Sequence, residues 1–134
     1  MSLLVKDVMN SDLLYISEGE RLDVARDPML DFGITAIPVL DEEHRPVGVV
    51  SLRNLLGGAR AEASTPVWSI AETATIEEAA RSMAETSLHH IVVVNANGRA
   101  VGMISSLDVL RALVGLPPKH PAAFARFDEA HPRP

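Results

Sequence analysis

Sliding the 134-residue chain along itself gives one strong register, in which residues 16–56 align with residues 70–110 at a constant offset of 54 and without a gap. Identical pairs include Ile16/Ile70, Ala25/Ala79, Met29/Met83, Ile37/Ile91, Val39/Val93, Gly48/Gly102, Ser51/Ser105 and Leu56/Leu110. Most of the rest keep apolar with apolar, as in Leu22/Ile76, Ile34/Leu88 and Val49/Met103. A duplicated supersecondary unit follows. A unit this short buries only about 60% of its unfolded surface by itself, so the copies are expected to pack sheet to sheet as a pseudo-twofold pair.

Within one copy the pattern predicts an α/β unit of order β-α-β-β-α. The second copy shows it best. Thr75-Ile76-Glu77-Glu78 is a capping box, and Ile76, Ala79, Ala80, Met83 and Ser87 form one face at helical spacing. Ile91 to Val94 and Ala100 to Ile104 are apolar runs, and Asn95-Ala96-Asn97-Gly98 between them supplies residues tolerant of positive φ, which predicts a hairpin. Ser105-Ser106-Leu107-Asp108 starts a second helix through Val109, Leu110, Leu113 and Val114, stopped by Gly115 and Pro117-Pro118. The first copy follows the same plan, with Asp41 to Pro46 as its hairpin turn. There Pro28 replaces Ser82 and predicts a shorter or bent helix.

The boundaries expected from this are 1–58 for the first repeat, 59–66 for a linker, 67–115 for the second repeat and 116–134 for a Pro-rich tail, extended or loosely docked, with Phe124 and Phe127 as its large apolar residues. Zero Cys excludes disulfides, thiolate catalysis and thiolate metal sites. The net charge of −6 argues against affinity for nucleic acid or anionic membrane, and the acidic run from Asp12 to Glu43 reads as a solvated face. No apolar run is long enough to span a membrane, and Met1 to Lys6 lacks the features of a signal peptide, so a cytoplasmic location is expected. There is no nucleophile elbow, Walker loop, dinucleotide Gly cluster or paired-His metal motif; the reading is no enzyme, no catalytic residues and no metal.

In their order, spacing and duplication these motifs resemble the tandem cystathionine-beta-synthase (CBS) domain pair. The likeness covers about residues 4–115. Lys6-Asp7-Val8-Met9 is similar to the family's opening element, Thr35-Ala36-Ile37-Pro38-Val39-Leu40-Asp41 to its apolar-Pro-Val strand, and Gly48-Val49-Val50-Ser51 and Gly102-Met103-Ile104-Ser105 to its Gly-apolar-apolar-Ser/Thr element. The second copy departs by lacking the opening Met and by Val92 at the strand Pro; the first has Asn54 where the second has Asp108. The resemblance implies a regulatory module binding AMP, ADP, ATP, S-adenosylmethionine or NAD between the repeats. It also implies a homodimer that requires no cofactor and signals to an effector protein in trans. A ligand-free dimeric interaction module is the alternative.

Two readings meet at Ser105 and Asp108. Ser-x-x-Asp is a helix cap whether or not a ligand exists. The hydroxyl can also meet a phosphate at the helix N-terminus, and the carboxylate can accept both ribose hydroxyls; the resemblance favours this second role. Ser51 and Asn54 are the weaker counterparts. His89 and His90 precede the second-copy strand, where the resemblance implies a phosphate contact. Their adjacency sends them to opposite faces, against a shared metal. Thr35 and Ala36 are the uncharged equivalents. Ile16 and Ile70 lie on lead-in strands where the resemblance implies adenine contacts, although apolar residues there are more often simply core. Tyr15 and Trp68 could stack a base or simply pack. Met9, Met29, Met83 and Met103 read as gap-filling core.

Overall fold

The computed structural model describes residues 3–65 and 67–120, excepting the side chains of Phe32, Ala59 and Arg60. Along the chain the elements run α1 (Val5–Val8), β1 (Ile16–Ser17), a 3-10 turn (Leu22–Ala25) leading into α2 (Arg26–Phe32), β2 (Ala36–Leu40), β3 (Pro46–Ser51), a 3-10 stretch (Asn54–Arg60), β4 (Ser69–Ala71), α3 (Ile76–Thr86), β5 (His90–Val94), β6 (Ala100–Ser105) and α4 (Ser106–Leu113). The expected α/β repeat is present twice. Each copy folds a three-stranded sheet, β1-β2-β3 or β4-β5-β6, whose first pair is parallel and whose second is an antiparallel hairpin. Register shifts fall at equivalent places, Val39/Leu40 and Val93/Val94.

The local signals act as their chemistry dictates. Thr75 Oγ1 accepts from the Glu78 amide at 3.1 Å, which is one half of the predicted box. Ile76, Ala79 and Met83 are buried beneath the helix it starts, whereas Ser87, expected on that face, is the left-handed C-cap of α3 at φ 58° and is exposed. The two hairpins use one device. Asn95 Oδ1 accepts from the amides of Asn97 and Arg99 at 2.9 and 3.1 Å, and Asp41 Oδ1 does the same for Glu43 and Arg45 at 2.9 Å each. The residue at positive φ is Gly98 in one turn and His44 in the other. Pro28 divides the first-copy helix: a 3-10 turn precedes it, and it falls in the first turn of α2, where its missing N–H has no helical partner to lose. The counterpart of α4 is only 3-10, because Gly57 and Gly58 stand where α4 has Arg111 and Ala112.

The chain forms two compact units, and their membership departs from the expected boundaries. One unit is Leu14–Val67; the other joins residues 3–13 to Trp68–His120. The opening segment thus folds with the second repeat and not with the first. Val5 N–H donates to Ala74 O at 2.8 Å, Lys6 N–H to Glu72 O at 3.0 Å, and Val5 and Val8 are buried with Ile76, Met83, Ile91, Val93 and Val109. Asn10 exchanges backbone bonds with Met103 at 2.9 and 3.0 Å. The expected linker is likewise docked, since Ser64, offset by 54 from Asn10, exchanges bonds with Val49, the counterpart of Met103, at 2.8 and 3.2 Å. Lead-in segments are therefore exchanged reciprocally between the copies. The exchange explains two of the repeated glycines. A Cβ on Gly102 would lie 2.7 Å from Met9 Sδ and 2.8 Å from Asn10 O, and one on Gly48 would lie 2.9 Å from Ala63 Cβ. It also explains how Pro38 fits mid-strand. Val49 opposite it turns both backbone groups away to Ser64, so no ladder bond to β3 is missing at Pro38.

Candidate functional site

The second unit gathers Ser105, Asp108 and His90. Ser105 ends β6 and caps α4: its hydroxyl accepts from the Asp108 amide at 3.1 Å while Asp108 Oδ2 accepts from the Ser105 amide at 2.8 Å. The cap reading is therefore realised. It uses only one oxygen of the carboxylate, yet the Asp108 side chain is 6% exposed, an unusual place for a charge. The other oxygen, Oδ1, faces His120 Nε2 at 3.4 Å, and that nitrogen also lies 3.0 Å from Val8 O. A carbonyl only accepts, so His120 Nε2 carries the proton and donates to Val8 O, with Asp108 Oδ1 as a longer second acceptor. Ser105 keeps its own hydroxyl proton for a further acceptor.

His90 opens β5 directly across the hairpin from Ser105. Its pKa lies below the ordinary histidine value because burial penalises the imidazolium, the neighbouring His89 repels it, and Asp108 opposes both. His90 is thus neutral at pH 7. His89 is exposed, and its backbone carbonyl accepts from the Ser106 amide at 2.8 Å, closing one free donor of α4.

In the first unit the equivalent residues satisfy one another. Asn54 Oδ1 accepts from the Ser51 amide at 2.8 Å and the Ser51 hydroxyl at 2.9 Å, and Asn54 Nδ2 donates to Ser64 Oγ at 3.2 Å. Thr35 is exposed and its carbonyl accepts from Leu52 N–H at 3.2 Å, the counterpart of the His89 to Ser106 bond. Ala36 is buried across from Ser51. Ile16 belongs to the core beside Val39 and offers no surface, while Ile70 is half-buried on β4 beside Val93. Tyr15 is buried with its ring edge-on to His44 at 5.1 Å, and Trp68 is exposed. Met29, Met83 and Met103 are core and Met9 is half-buried. Among the described residues no cluster of His, Cys, Asp or Glu could hold a metal, and no helix is long and apolar enough to cross a membrane.

Sequence reasoning missed His120, Asn10 and Ser64. The offset of 54 pairs Asn10 with Ser64, so the alignment extended upstream was the available signal for those two. His120 lies beyond Pro117-Pro118 in the segment expected as a tail, and nothing local marks it. Phe124 and Phe127 lie outside the described residues.

The family model of the CBS domain matches residues 5–60 and again 59–115. A homoserine O-acetyltransferase of Methanosphaerula palustris is 30% identical over 122 residues, covering 86% of this chain and 25% of its own. An uncharacterised protein of Methanopyrus kandleri is 24% identical over 122 residues, covering 82% of this chain and 62% of its own. The chain thus spans less than two thirds of these curated relatives. Among solved structures, Arabidopsis thaliana CBSX2 in complex with AMP superposes with TM-score 0.75 at 24% identity, covering 84% of this chain and 96% of CBSX2. The CBS domain pair of MJ0100, in complex with 5′-methylthioadenosine and S-adenosylmethionine, superposes with TM-score 0.75 at 20% identity, covering 86% and 98%. At these identities the superpositions show the fold.

Proposed function

We propose a function from one premise: the chain belongs to the CBS domain family, in two tandem copies. On that footing it is a regulatory module that binds an adenosine-containing ligand through its second-copy residues and signals to a partner protein. The observation that carries this reading is Asp108, a buried carboxylate whose helix cap employs one oxygen and leaves Oδ1 for another donor. CBSX2 binds AMP, and the MJ0100 pair binds two adenosyl compounds. In this chain Asp108 Oδ1 accepts from the ribose hydroxyls, Ser105 donates its hydroxyl to a phosphate or carboxylate, and Ile70 lends apolar surface to the base. His90 donates one N–H as a neutral ring. A bound phosphate dianion favours the imidazolium and works against the burial that depresses the His90 pKa, so AMP binding is coupled to proton uptake where adenosine binding is not. The self-satisfied set Ser51, Asn54 and Ser64 is a structural cap, leaving the second copy as the competent one.

The module acts as a homodimer. Leu107, Leu110 and Leu113 on α4 and its C-cap Val114 are exposed, as is Leu56, the counterpart of Leu110, and an apolar stripe of this kind on a short helix suits a second copy. Ligand binding regulates only as far as its affinity differs between two conformations. The ligand-free interaction module is the second reading, favoured by the closed first-copy set.

Titrating the full chain with AMP, ADP, ATP, S-adenosylmethionine and NAD separates the two readings. At a hundred times Kd a ligand adds roughly 2.7 kcal/mol, which raises the melting temperature of a domain of this size by upward of about 5 °C. No rise with any of them leaves the interaction module.

A further inference from the structure

The contact of His120 with Asp108 reaches back along the whole of α4. Eight helical residues span about 12 Å. His120 follows the helix by seven positions, enough chain to return from its C-terminal end to its N-terminal turn. The return is guided. Gly115 takes φ 78°, Leu116 N–H donates to Arg111 O at 2.8 Å, Arg111 Nε donates to Pro117 O at 2.7 Å, and Pro117-Pro118 restrict the next two residues. A segment so constrained loses less entropy on docking than a flexible one. It delivers an N–H donor to Val8 O and to Asp108 Oδ1, the one carboxylate oxygen that the cap does not use.

We propose that His120 is a built-in competitor of the adenosyl ligand, occupying the carboxylate oxygen that the ribose hydroxyls require. This rests on the nucleotide reading of the same site and adds its regulation. With the segment docked the site is closed, and the apparent affinity is the intrinsic one reduced by the fraction of molecules in which His120 is released. The His120 side chain is 28% exposed and the residues after Leu113 are exposed up to it, so release uncovers little apolar surface. A partner that captures the segment would open the site without touching it.

Calorimetric titration of full-length wild type and His120→Ala with AMP and with S-adenosylmethionine tests this. The variant should bind both about three- to tenfold more tightly, the size of one lost competing hydrogen bond of this kind. Equal affinities overturn the competition while leaving the nucleotide reading intact. Absence of binding in both proteins overturns the nucleotide reading and the competition together. The histidine proton resonances give a second check: Asp108→Asn should displace the His120 signal in the absence of ligand, and AMP should shift the wild-type signal toward that of a solvent-exposed histidine. A His120 signal indifferent to both contradicts the contact itself.

Discussion

Gly102 carries no side chain because Met9 Sδ and the Asn10 carbonyl stand where one would go, and at Gly48 the Ala63 Cβ stands there. Gly102→Ala should cost about 1–3 kcal/mol, since Asn10 O is backbone and cannot swing aside, whereas Gly57→Ala, with nothing within 4 Å of the added methyl, should be neutral or gain about 0.4–1 kcal/mol. Urea midpoints with unchanged m-values check the pair. His90 supplies a pH signature of definite sign. Its folded pKa is depressed, so the native state binds fewer protons than the unfolded chain between that pKa and about 6.5. Its favourable contribution is fully present above about pH 6.5 and is lost as pH falls toward the folded pKa. Thermal melts from pH 8 to 5 should therefore show a steeper decline for wild type than for His90→Gln; identical slopes would remove His90 from the account.

Helix caps and hairpin turns are the elements that were most legible beforehand, because their chemistry is local. Thr75→Ala should cost about 1 kcal/mol, read by thermal or urea unfolding. The hairpin turns over 41–46 and 95–98, the shortened helix at Pro28 and the capping residues of α4 were readable from spacing within a few residues, whereas the use of Asp41 and Asn95 side chains to close both turns was not. The face of α4 was not. Val109 is buried as its pattern implies, but Leu110, Leu113 and Val114 are exposed, and helical periodicity cannot tell a face that meets its own fold from one that meets another molecule. If that face joins two copies, Leu110→Glu with Leu113→Glu should yield a monomer in light scattering with the melting temperature of the unit otherwise kept at high dilution. A dimer that persists would place the interface elsewhere.

Across the whole molecule, the duplication was legible from the offset of 54, but the reciprocal exchange of lead-in segments was not. Asn10 pairs with Met103, and Val5 is buried among residues more than sixty positions away; no periodicity within the opening segment announces such a partner. The exchange predicts that Val5→Ala, which removes buried apolar volume, loosens amide protection in α3 and β6 and leaves β2 and β3 unchanged, a pattern that hydrogen exchange reads directly. His120 escaped for the same reason of distance, and with it the competition at Asp108. The candidate site was legible as residue types and spacing; its closure was not.

The most direct test of the central claim is calorimetric titration of full-length wild type and Asp108→Asn with AMP. The substitution keeps a cap like that of Asn54 with Ser51 while removing the charge and one accepting oxygen. Wild type should bind, and the variant should bind at least about tenfold more weakly, as loss of a charged hydrogen-bond partner implies. An unchanged affinity would contradict the assignment of Asp108 to the ribose.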